Sequence, residues 1–81
     1  MSEPTNPARS GVVKHSLVIA GHRTSVSLEQ AFWAALKEIA QEDGCSLAAL
    51  VARVDAGRGG ANLSSALRVY AFERLRRPPP A

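Results

Sequence analysis

Residues 22–28 alternate between two faces in the manner of a strand. Thr24, Val26 and Leu28 hold one face, and Arg23, Ser25 and Ser27 the other. Period-2 alternation marks a strand with one buried and one solvated side. From Glu29 onward the pattern is helical, so a strand partner must come from the short N-terminal segment or from a second copy of the chain. The second option predicts an intertwined dimer built on a two-stranded ribbon. Residues 14–19 are a candidate strand of their own, with Leu17 and Ile19 at odd positions. One uninterrupted strand would put those residues on the face opposite Val26. A bulge at Gly21 or a two-residue turn at Ala20-Gly21 would each correct the register, the turn by pairing Leu17 with Thr24.

Three helices follow in the pattern. For a helix over residues 29–43, Phe32, Ala35, Leu36 and Ile39 recur along one face that begins with Leu28 just before it, with Trp33 at its edge. Ser27 is placed to cap this helix, with Gln30 three residues on, and Gly44 to end it. Ser46 is the expected cap of a helix over residues 47–56, striped by Leu47, Leu50, Val51 and Val54. A glycine-dense break at residues 57–62 precedes a third helix ending at Arg76. Its apolar arc is wide: Leu63, Leu67, Tyr70 and Ala71, flanked by Val69, Phe72 and Leu75. Such an arc suits burial between two surfaces, a core and a dimer mate.

Length sharpens the dimer expectation. A chain of 81 residues is one domain or less, and one this short often needs a staple. Cys45 is the single cysteine, so no internal disulfide is available. No apolar run approaches a membrane span, the first residues lack the pattern of a signal peptide, and the unpaired thiol points to a reducing cytoplasm. The expected division is a flexible arm over residues 1–13, a folded unit over 14–76 and a proline-rich tail over 77–81.

The net charge is +3, unevenly spread. Residues 1–28 and 44–81 are basic, whereas residues 29–43 carry Glu29, Glu38, Glu42 and Asp43 against Lys37. Separated positive charge suits a polyanion and equally suits a solvated surface.

Strand, helix, Gly-x-Ser turn and helix together resemble the ribbon-helix-helix family of Arc- and MetJ-like bacterial repressors. The residues that carry this are 23–28, 29–43, Gly44-Cys45-Ser46 and 47–54. A closer resemblance is to small ribbon-helix-helix domain proteins common in alphaproteobacteria, through residues 22–29, Phe32-Trp33 and residues 58–68. The resemblance implies a mainly α fold with a short β-ribbon, an intertwined homodimer, and here an additional C-terminal helix. It implies a transcriptional regulator that reads double-stranded DNA with the ribbon in the major groove, as a homodimer or a higher assembly on DNA.

On that reading Arg23, Ser25 and Ser27 face the bases, since arginine can bridge two acceptors of guanine and serine can bond to several base edges. Ser46, with the amide of Leu47, sits at a helix start suited to phosphate. Lys14 and Arg9 would extend the contact along the backbone. Val26, Leu28, Phe32, Leu36, Leu50 and Val54 are the expected dimer core.

Other chemistry has little support. Gly57 to Gly60 lacks the Lys-Ser or Lys-Thr of a phosphate loop. His15, His22 and Cys45 are too few and too scattered for zinc. No nucleophile with a base and an orienting group is visible, so neither an enzyme nor a cofactor is expected. The alternative reading is a dimeric protein-interaction module, an adaptor or antitoxin-like protein, using the third helix and its arginine-rich end. The two readings part over residues 14–19: if that segment covers the polar face of the strand, groove insertion fails.

Overall fold

The computed structural model describes residues 11–76. Residues 1–10 of the expected arm, with Arg9, and the proline tail over 77–81 lie outside them. Strand β1, Val12–Ile19, and strand β2, His22–Glu29, form one antiparallel hairpin. The partner of the alternating strand is therefore the chain's own N-terminal segment, and the ribbon closes without a second copy. Residues 12 and 13, counted above with the arm, are part of it.

The register question resolves as a turn, with Leu17 opposite Thr24 and Ile19 opposite His22. Ala20 and Gly21 both take positive φ, 52° and 83°, as a type I′ turn requires. Its twist matches that of the strands it joins, although alanine pays a steric cost there that glycine does not.

Three helices follow: α1, Gln30–Asp43; α2, Leu47–Gly57; and α3, Leu63–Arg76. Ser27 does not cap α1. The strand continues through Glu29, which holds the cap position without a side-chain hydrogen bond. The Gln30 amide instead donates to the Gly11 carbonyl at 2.8 Å, so the first helical N–H is satisfied by the far end of the hairpin. Gly44, at φ 71°, ends α1 in the left-handed conformation that favours glycine. Ser46 caps α2, its Oγ accepting from the Ala49 amide at 3.0 Å. Asn62 caps α3 in the same way through the Ser65 amide.

The helices pack on one face of the hairpin. Odd residues of β1 and even residues of β2 turn inward, and Ile19, Val26 and Leu28 join Trp33, Leu36, Ile39, Leu50, Val51, Leu67 and Ala71 in the core. The buried aromatic is Trp33, not Phe32, which is only half-buried at the margin. Trp33 lies beneath β1: its indole N–H donates to the Val13 carbonyl at 2.9 Å, and the His15 ring meets it edge-on at 4.4 Å. The extra strand thus pulls the α1 stripe round by one residue, a force invisible to helical periodicity alone.

Candidate nucleic-acid interface

With the even side of β1 and the odd side of β2 turned outward, the ribbon presents four cross-strand pairs. These are Val12 with Glu29, Lys14 with Ser27, Ser16 with Ser25, and Val18 with Arg23. Residues 14–19 do not cover the polar face of β2. They lie beside it and widen it. Arg23, Ser25 and Lys14 are exposed and Ser27 is half-buried, so the side chains expected to touch bases and the lysine assigned to phosphate share one surface. Ser16 joins them, although the alternation over residues 22–28 does not reach it. A signal for it exists in the sequence, because inward Leu17 and Ile19 leave residues 14, 16 and 18 facing out.

The edge of β2 away from β1 is partly closed. A two-residue turn makes Ile19–His22 a hydrogen-bonded pair, and such pairs then alternate along the ladder. The backbone groups of Arg23, Ser25 and Ser27 accordingly point away from β1. The Ser64 hydroxyl, in the first turn of α3, donates to the Ser27 carbonyl at 3.0 Å. One turn on, Arg68 grips both oxygens of Glu29 at 2.8 and 3.4 Å. This bond holds the Glu29 carboxyl below its ordinary value. Beyond these contacts a cleft of about 320 Å³ separates the turn end of β2 from the loop before α3.

Positive charge is distributed differently from the sequence expectation of a basic C-terminal part. Arg58 bonds to Asp55 at 2.7 Å and also donates to the Ala61 carbonyl, bracing the glycine-rich loop. Arg74 and Arg53 converge on Asp43, at 2.9 and 3.2 Å, and Arg74 also reaches Glu42 at 3.6 Å. Asp43 is held below its ordinary value by the Arg74 hydrogen bond first and by Arg53 second. Arg74 is raised in turn by Asp43 and by its bond to the Tyr70 hydroxyl. The guanidiniums of the helical layer are therefore largely matched by carboxylates. Among the described residues, Lys14 and Arg23 on the ribbon form no ion pair, nor do Lys37 and Arg76, the latter lying over the Phe72 ring.

Ser46 and Leu47 are not on the ribbon face. They stand at the α1–α2 turn, Ser46 exposed and Leu47 half-buried, beside a shallow depression that Lys37 also lines. Of the expected dimer core, Val26, Leu28, Leu36 and Leu50 are fully buried within one chain, and Phe32 and Val54 partly so. Val69, Phe72 and Leu75 of α3 remain exposed, next to an apolar groove of about 630 Å³ between α2 and α3. No group of residues suited to a metal ion occurs among the described residues, and no helix among them is long and apolar enough to cross a membrane.

A family model described as the ribbon-helix-helix domain matches residues 12–75. A solved structure, that of an uncharacterized protein from Bordetella pertussis Tohama I, is similar, with a TM-score of 0.74 and 37% sequence identity. The match covers 88% of this chain and 61% of that one, so the chain spans under two thirds of that protein's length. No curated protein matches.

Proposed function

Since the chain belongs to the ribbon-helix-helix domain family, we propose that it is a sequence-specific DNA-binding protein and a transcriptional regulator that inserts its β-ribbon into the major groove. The observation that carries this is the outer face of the hairpin. It is two strands wide, carries three serines between exposed valines at positions 12 and 18, and bears two cations that no carboxylate among the described residues neutralises. A ribbon of that width fits a major groove, and small serines let it approach the base edges. Arg23 supplies the bidentate contact to guanine, Ser25 and Ser27 hydrogen-bond to neighbouring bases, and Lys14 holds the backbone. Ser46 and the Leu47 amide give a second phosphate anchor, with Lys37 adding charge beside it.

The acting form in this reading is a homodimer in the cytoplasm. Val69, Phe72 and Leu75, spaced three apart on α3 and 58–64% exposed, are the surface for the second copy. Sedimentation of the free protein counts the copies. The test of DNA reading is selection from random duplexes, with a salt titration, on wild type and Arg23→Ala. An enriched motif that Arg23→Ala loses is the expected result. Binding that depends on salt alone and ignores Arg23 overturns groove reading.

A further inference from the structure

We infer that each chain reads DNA with a ribbon completed in cis, so that β1 supplies a second row on the same face, Ser16 and Val18 toward the bases and Lys14 toward the backbone, and the element read by one chain is asymmetric. This rests on the DNA-binding reading above. It goes further in naming the strand and the residues that share the recognition.

Three observations carry it. The first is the register: Lys14 stands opposite Ser27, Ser16 opposite Ser25, and Val18 opposite Arg23, all on the outward face. Any surface that brings the β2 row to base edges brings the β1 row to the same depth, one strand spacing away. The second is the guarded edge. Ser64 occupies the Ser27 carbonyl, and Arg68 clamps Glu29 just beyond it. A second copy of β2 laid along that edge would compete with α3 for the same backbone group. The third is width. Four strands in one sheet span about 14 Å between their outer axes, against a major groove about 12 Å wide. The hairpin alone fits, and a sheet of two hairpins does not.

The two rows differ chemically. The β2 row offers a guanidinium and two hydroxyls. The β1 row offers an ammonium, a hydroxyl and the isopropyl group of Val18, which is 60% exposed, with a second exposed valine, Val12 at 61%, at the far end of the strand. An apolar side chain facing a groove suits the C5-methyl of thymine, the apolar feature of the major-groove edge. A ribbon made of two identical strands would present the same row twice. This one presents a methyl-reading position across from a guanine-reading one.

The experiment uses the duplex selected by the full-length protein, with each thymine replaced in turn by uracil, which removes only the methyl group. Wild type is expected to lose about fourfold in affinity at one thymine, near the guanine whose substitution mimics Arg23→Ala. Val18→Ala is expected to bind normal and uracil duplexes alike at that position. Ser16→Ala is expected to relax preference at a neighbouring base pair. Circular dichroism of each variant verifies the fold, which outward side chains do not support. An Arg23-dependent motif that is indifferent to Val18 and Ser16 overturns the cis ribbon while leaving DNA reading intact. Failure to select any motif overturns both.

Discussion

The ribbon and the helical layer use the same kind of side chain for opposite ends. In the helices, Arg53, Arg58, Arg68 and Arg74 each face a carboxylate, and two of these bonds tie α3 to distant parts of the chain, Arg68 to Glu29 and Arg74 to Asp43. On the ribbon, Lys14 and Arg23 face none among the described residues. Counting charge along the sequence makes the C-terminal part the basic region. Counting unpaired cations among the described residues instead leaves Lys14 and Arg23 on one face of the hairpin, and Lys37 and Arg76 on two separate helices. A guanidinium already engaged with a carboxylate would have to break that bond before meeting a phosphate, whereas a free one would not.

The largest way to break this arrangement is at the joint between the two regions. Trp33 is fully buried and its indole N–H holds β1 through Val13. Trp33→Ala is expected to cost about 3–5 kcal/mol of stability, read as a shift of the urea midpoint. A cost below about 1 kcal/mol would mean that the ribbon does not rely on α1. The charge comparison itself is tested by removing one arginine from each region. Arg23→Ala is expected to cost about 1–3 kcal/mol in binding to the selected duplex. Arg53→Ala, measured at the same salt, should leave affinity nearly unchanged. Equal losses would erase the distinction.

A smaller effect tests the hairpin alone. Ala20 sits at φ 52° in the turn, where asparagine is preferred. Ala20→Asn is expected to raise stability by about 1 kcal/mol, seen as a higher melting temperature with an unchanged selected motif. The smallest effect concerns acid. Arg68 holds Glu29 below its ordinary 4.5, and Arg74 followed by Arg53 hold Asp43 below its ordinary 3.8. Between the ordinary and lowered values the unfolded chain binds more protons than the folded one. The contribution of these pairs is therefore complete above the ordinary carboxylate values and is lost as the pH falls through the lowered ones. The urea midpoint should drop over that window, and Glu29→Gln should make the drop shallower.

Much of the local structure is legible in the sequence because it depends on local chemistry. The alternation at 24, 26 and 28 sets the inward face of β2, and Gly44 and Ser46 mark the end of one helix and the start of the next. The offset between Leu17 and Thr24 already narrows the ribbon to a bulge or a turn. Misreadings arise where distant residues decide the outcome. Ser27 has the chemistry of a cap, but the strand runs past it because Gly11 satisfies the first helical amide. Phe32 lies on the helical stripe, but the hairpin covers Trp33. The ribbon face is half visible in the sequence. Arg23, Ser25 and Ser27 follow from alternation, while Ser16 and Val18 need the strand pairing to place them. The helical ion pairs join residues up to 39 positions apart and leave no periodic trace.

The most direct test of the ribbon as the DNA-reading surface is an NMR titration of the labelled protein with its selected duplex. Amide shifts concentrated at residues 12–18 and 23–27, on both strands together, are the predicted result. Shifts centred on Val69, Phe72 and Leu75 with the hairpin unperturbed would contradict it and make the helical face the binding surface.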